Sequence, residues 1–199
     1  MNIALGSGYR GHPLSLKVEE RFYSIRDYSP FNKRDQKSYD DATPIKDTDT
    51  NLVDVTTDLT AVVDDTKSGW KLYLNSPSWR GEKVLAESVT AGGVIFFTTF
   101  TPLAPDDANP CLSRALNRVW GVNATDGDPF THWKDGETGT LKTTDRFMDT
   151  KQSGIAPAVT ILSNPDATNG MAICQMGTQI LNRCVKVGDA VRSYWESKQ

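Results

Sequence analysis

The chain has 199 residues, 38% of them hydrophobic, with a formal net charge of -3 and a pI near 5.4. That length supports one domain, residues 1–199, with a core of its own. The acidic balance argues against a nucleic-acid binder, which carries a basic domain or stripe. No run approaches the roughly 18 consecutive apolar residues of a membrane span.

The N-terminus lacks the charged-then-apolar pattern of a signal peptide. Met1 leads straight into a strand-like run, so the chain reads as cut from something longer, with any export signal upstream. Strand-like runs, rich in Val, Ile, Phe, Tyr and Thr and bounded by Gly, Pro, Asn and Asp, fall at 2–5, 21–26, 70–74, 83–87, 94–100, 118–123, 158–162, 171–175 and 180–187. Residues 69–74 alternate in the period of a half-buried strand, whereas 94–100 are apolar nearly throughout, as in a strand covered on both faces. Helix signals are few: a turn or two over 14–20, and a closing segment at 188–196 that reads as a short helix capped by Asp189 or as a strand. Residues 28–50, 101–110 and 125–155 read as long polar loops. Short strands at this spacing predict an all-β sandwich, barrel or propeller and not alternating βαβ units.

A weak recurrence narrows the choice. Gly92-Gly93 enter the run 94–100, and the run 118–123 ends in the turn signal Asp126-Gly127. Ile3-Ala4-Leu5-Gly6-Ser7-Gly8 and 21–27 echo it. A strand, a loop and a strand closing on Asp-Gly is the grammar of a quinoprotein-like propeller blade. The expected fold is all-β: a partial β-propeller, its last two to three blades, with long polar loops.

Other motifs are weighed on their chemistry. Gly6-Ser7-Gly8-Tyr9-Arg10-Gly11 spells G-x-G-x-x-G after a strand, with Asp27 at ribose-binding distance. The dinucleotide reading needs a helix opening at those glycines. His12-Pro13 and a short 14–20 stretch follow instead, so the glycines read as a tight strand connection. His12 and His132 are the two histidines, and no nucleophile elbow, H-E-x-x-H or paired-carboxylate pattern appears. The chain is read as non-catalytic. Asp47-Thr48-Asp49-Thr50-Asn51 has alternating oxygen side chains that suit a calcium ion, but lacks the glycine and the distal ligand of a full loop. Asp47, Asp49 and Asn51 are therefore a weak metal site beside the plainer reading of a solvated acidic loop. Trp79 and Trp133 lie in loop-like context and are candidate partner contacts, against the alternative that they are core. Cys174 and Cys184 flank the turn-like Met176-Gly177-Thr178 and are a candidate disulfide; three buried thiols, counting Cys111, are the alternative.

Four stretches carry a resemblance. They are Ile3-Ala4-Leu5-Gly6-Ser7-Gly8-Tyr9-Arg10-Gly11-His12-Pro13-Leu14, then Glu20-Arg21-Phe22-Tyr23-Ser24-Ile25-Arg26-Asp27, then Gly69-Trp70-Lys71-Leu72-Tyr73-Leu74, then Gly81-Glu82-Lys83-Val84-Leu85-Ala86-Glu87-Ser88 running on to Val94-Ile95-Phe96-Phe97-Thr98-Thr99-Phe100-Thr101-Pro102. In order and spacing they resemble the PilY/PilC-type family of type IV pilus biogenesis and tip-adhesin proteins, over residues 3–120. The resemblance implies a C-terminal propeller portion, export to the cell surface, outer membrane or pilus tip, and a role in pilus assembly, twitching motility and surface attachment. It implies as partners the rest of the parent propeller, pilins or minor pilins, and host-surface receptors. No cofactor is expected, since the family's calcium loop lies in an earlier blade. The alternatives are a fragment of a pyrroloquinoline quinone-type dehydrogenase propeller and a free-standing β-sandwich binding domain.

Overall fold

The computed structural model describes residues 1–74, 81–103, 115–150, 152, 154–163 and 170–186. Strand β1 (Asn2–Gly6) pairs antiparallel with β2 (Arg21–Arg26). A polar stretch follows and holds one short helix, α1 (Gln36–Asp40), whose first turn is capped by Asp35 accepting from the Ser38 N–H. Strand β3 (Leu52–Asp54) then lies parallel to β4 (Gly69–Tyr73), which pairs with β2. The first sheet thus runs β1-β2-β4-β3.

The second sheet runs β5-β7-β8-β9, with β6 also on β7: β5 (Lys83–Val84), β6 (Val89–Ala91), β7 (Val94–Pro102), β8 (Ala115–Asn123) and β9 (Phe147–Thr150). A 3-10 turn, Thr143–Arg146, leads into β9. The third sheet is β10 (Val159–Leu162), β11 (Ile173–Met176) and β12 (Gln179–Ile180).

The period of two along each strand decides how these sheets pack. In the first, Phe22, Ser24, Trp70 and Leu72 share the inward face, and Gly6 and Ala4 of β1 fall in register with them. In β7, Ile95 and Phe97 point toward the first sheet while Val94 and Phe96 point toward the third. One core therefore lies between sheets one and two, a second between sheets two and three. Phe22 stacks on Phe97 at 3.8 Å between centroids, and Phe97 on Trp120 at 5.4 Å. Each such buried ring contributes roughly 1.5–3 kcal/mol. The expectation that 94–100 is covered on both faces agrees with the burial of β7 from Val94 to Thr101.

Two residues, Gly177 and Thr178, connect β11 to β12, with Gly177 at a φ of +57° that a side chain would resist. The chain beyond β12 returns to place Cys184 against Cys174, and the two form a disulfide with Cα atoms 5.3 Å apart. The sequence predicts a full strand over 180–187; the ladder there is two residues, Gln179–Ile180, followed by a bridge from Lys186 to Met171. Strands β3, β6 and β9 were not anticipated, being short and set among polar residues. The expected closing helix or strand at 188–196 lies outside the described residues. The protein is mostly β, as expected. The three sheets pack through two cores, and no closed barrel or propeller forms among the described residues.

Candidate docking surface

The outward face of the first sheet carries Ile3 and Leu5 of β1, in register with Ile25 and Tyr23 of β2. Ile3 and Leu5 are 43% and 42% exposed, and β1 is the terminal strand of its sheet among the described residues. The other side of the same face is covered. There Asp47 reaches the Tyr23 hydroxyl, which donates to its Oδ1 at 3.2 Å, and lies 3.5 Å from Arg21 Nε. Lys71 donates to the Asp47 carbonyl and stands 3.8 Å from its carboxylate. Burial first, then the Asp47 charge, pushes the Tyr23 phenol up.

This arrangement bears on the calcium reading of Asp47, Asp49 and Asn51. Two side-chain cations already face the Asp47 carboxylate, and they oppose a third positive charge there. Asp49 and Asn51 serve through their backbone carbonyls, which accept from the Leu52 and Ser68 N–H groups.

The connection from β1 to β2 forms a second part of the surface. Ser7 pins its start: the Ser7 Oγ accepts from the Arg21 N–H at 2.7 Å, and the Ser7 carbonyl accepts from the Val84 N–H at 3.0 Å. Gly6 is required by contact, since a Cβ there would fall 2.3 Å from Val84 Cγ2. Turns follow these glycines and no helix, so the dinucleotide fingerprint has no helix N-terminus to hold a pyrophosphate. The connection instead walls a groove of about 600 Å³ lined by Tyr9, His12, Leu14, Val18, Glu20 and Lys83. Tyr9, Leu14 and Val18 are each more than half exposed. Lys83 lies at the groove's base, its Nζ donating to the Ser15 and Gly81 carbonyls, both at 2.7 Å. Burial holds its ammonium below the usual lysine range, with Glu20 opposing.

Of the two tryptophans proposed as contacts, Trp79 lies outside the described residues. Trp133 is a correction: it is 4% exposed and belongs to the second core, edge-on to Phe130 at 5.3 Å. Gly121 makes the room, because a Cβ there would sit 2.5 Å from Phe130 and 3.0 Å from Trp133.

Two polar groupings were not legible in the sequence. In the second sheet the buried Glu82 accepts from Thr99 Oγ1 at 2.6 Å and from Arg118 at 2.9 Å. Arg118 also reaches Asp149 at 3.0 Å and lies 4.1 Å over the Phe147 ring, while Trp120 Nε1 donates to Thr99. Burial pushes the Glu82 carboxyl up and Arg118 opposes it. The second grouping is His132, Glu137 and Asp145, which converge on one cleft. Both are assembled by strand pairing or loop return across long sequence separations, which a linear motif does not display.

No protein-family model and no curated protein matches the sequence. Among solved structures, the chain is similar to the Pseudomonas aeruginosa PilY1 C-terminal domain, with a TM-score of 0.60 at 17% identity over 90% of this chain. The fold is PilY1-like. The chain spans 40% of the length of that PilY1 chain. At this identity the likeness bears on the fold alone.

Proposed function

We propose that this chain is a non-catalytic module of a type IV pilus biogenesis and adhesion protein, supporting pilus assembly, twitching motility and surface attachment. The observation that carries the reading is the PilY1-like fold combined with an apolar outward face on the terminal strand β1. Ile3 and Leu5 are exposed on that face, which supports a further sheet packing over them face to face. The occupant is a further sheet of the parent propeller, and the neighbouring groove with Tyr9, Leu14 and Val18 takes a pilin or minor-pilin segment, or a host-surface receptor. Cys174–Cys184 supports an exported setting at the cell surface, outer membrane or pilus tip, because disulfides persist in oxidising compartments. No cofactor has a part in this reading.

The test is deletion of the gene in its own host, with surface pili counted by electron microscopy and twitching zones measured. The expected result is loss of both, restored by a plasmid copy. Pili and twitching at parental levels overturn the reading.

A further inference from the structure

A cleft of about 360 Å³, separate from the docking surface, is lined by His132, Glu137, Lys142, Asp145 and Phe147 among others. An imidazole nitrogen and two carboxylate oxygens converge there, all within 4.8 Å of one another. The imidazole is engaged on both sides. Its Nε2 lies 3.2 Å from the Gly139 carbonyl oxygen, and its Nδ1 lies 3.3 Å from Asp145 Oδ2. Both partners are acceptors, and a neutral imidazole has a single N–H. The neutral ring therefore donates to one of the two, and the other contact needs either a second ring proton or a cation held between nitrogen and carboxylate. When the proton sits on Nε2 and is held by the Gly139 carbonyl, the pattern is that of a metal-bound histidine fixed by its outer partner. The Nδ1 lone pair and the Asp145 carboxylate then face one point.

The distances suit a particular class of ion. Bonds of about 2.0–2.2 Å to nitrogen and oxygen in a tetrahedron place ligand atoms about 3.3–3.5 Å apart. The Nδ1–Oδ2 pair already stands at 3.3 Å. Glu137 is the exposed third arm: it pairs with Lys134 at 3.5 Å, but its side chain is 42% and that of Lys134 82% exposed, so the pair is weak. The other two donors are held firmly. Trp133, next to His132, is in the second core, and Arg183 Nε donates to the His132 carbonyl at 3.1 Å. Asp145 accepts from the Lys142 N–H at 2.7 Å, and its neighbour Arg146 is buried with bonds of 2.8 Å to the Gly127 and Thr56 carbonyls.

We propose that His132, Glu137 and Asp145 bind one divalent transition-metal ion of the zinc class, with a fourth position open to water. Imidazole with two carboxylates favours such an ion over calcium or magnesium, which take oxygen alone. Bound there, it ties the polar stretch 132–145 to the second core and makes that stretch a metal-dependent surface.

The test uses the untagged chain, stripped with a chelator and titrated with Co²⁺ while its visible absorption is followed, then challenged with Zn²⁺. The expected result is one Co²⁺ per chain, displaced by Zn²⁺ and not by an equal concentration of Ca²⁺. Affinity should fall about tenfold or more in Glu137→Gln and in His132→Gln. Glu137 is exposed, so its variant keeps the fold; Asp145 is left intact because its carboxylate also closes the 3-10 turn. Absence of saturable Co²⁺ binding in the wild type overturns the proposal and assigns the Nδ1–carboxylate contact to a proton. Equal binding by both variants, or equal competition by Ca²⁺, overturns it as well.

Discussion

Three times between residues 54 and 66 an aspartate is followed two positions later by a threonine: Asp54-Thr56, Asp58-Thr60 and Asp64-Thr66. In each case the aspartate Oδ1 accepts from both the threonine N–H and its hydroxyl, at 2.6 to 2.9 Å. These local turns shape a stretch that has few apolar anchors. Hydrogen bonds to the ionised form hold Asp58 and Asp64 below the usual carboxylate range. A carboxyl depressed in the folded state contributes stability above its ordinary pKa, and the contribution is lost as pH falls through the depressed value. An NMR titration should therefore find midpoints for Asp58 and Asp64 below about 3.9; midpoints at or above it would contradict the hydrogen-bonding described. Elsewhere, Arg118 is the cation that offsets the buried Glu82. Arg118→Ala should cost about 3–5 kcal/mol in urea unfolding at neutral pH, because it strands a buried charge, while replacing both partners with Met and Leu should cost much less. Similar losses in the two proteins would mean that the pair is not a unit.

At the scale of elements, the strands rich in Phe, Trp and Ile were readable because their period is written in their own residues. Strands β2, β4, β7 and β8 appear within a few residues of where their alternation places them. Strand β9 was hidden because Phe147-Met148-Asp149-Thr150 has no pattern of its own; it is a strand because β8 offers it an edge. Trp133 was misread for a related reason, since its pocket is created by the absent side chain of Gly121 on another strand. The grouping of His132, Glu137 and Asp145 was hidden too, since only the return of the stretch 132–145 brings its members together. The disulfide pairing was within reach because the turn at Gly177 lies between the two cysteines. Closing a loop with a sequence separation of 10 should contribute roughly 2.5 kcal/mol. Reduction, or Cys174→Ser with Cys184→Ser, should lower the melting temperature and loosen the third sheet first, as amide exchange would report. Unchanged melting would mean that the second core alone holds that sheet.

At the scale of the molecule, two cores separate three stacked sheets, and the stack ends on an apolar face at β1 instead of a polar one. A terminal sheet with a solvated role would carry charges at Ile3 and Leu5, as edge strands that avoid partners do. We propose that this face is covered in the working assembly. The direct measurement is surface piliation in the native host carrying Ile3→Glu with Leu5→Glu, alongside near-UV circular dichroism of the purified variant. The expected result is a folded protein whose near-UV spectrum matches the parent, in cells that have lost most of their surface pili. Parental piliation with the variant present at parental levels would contradict the claim that the outward face of β1 is a docking surface.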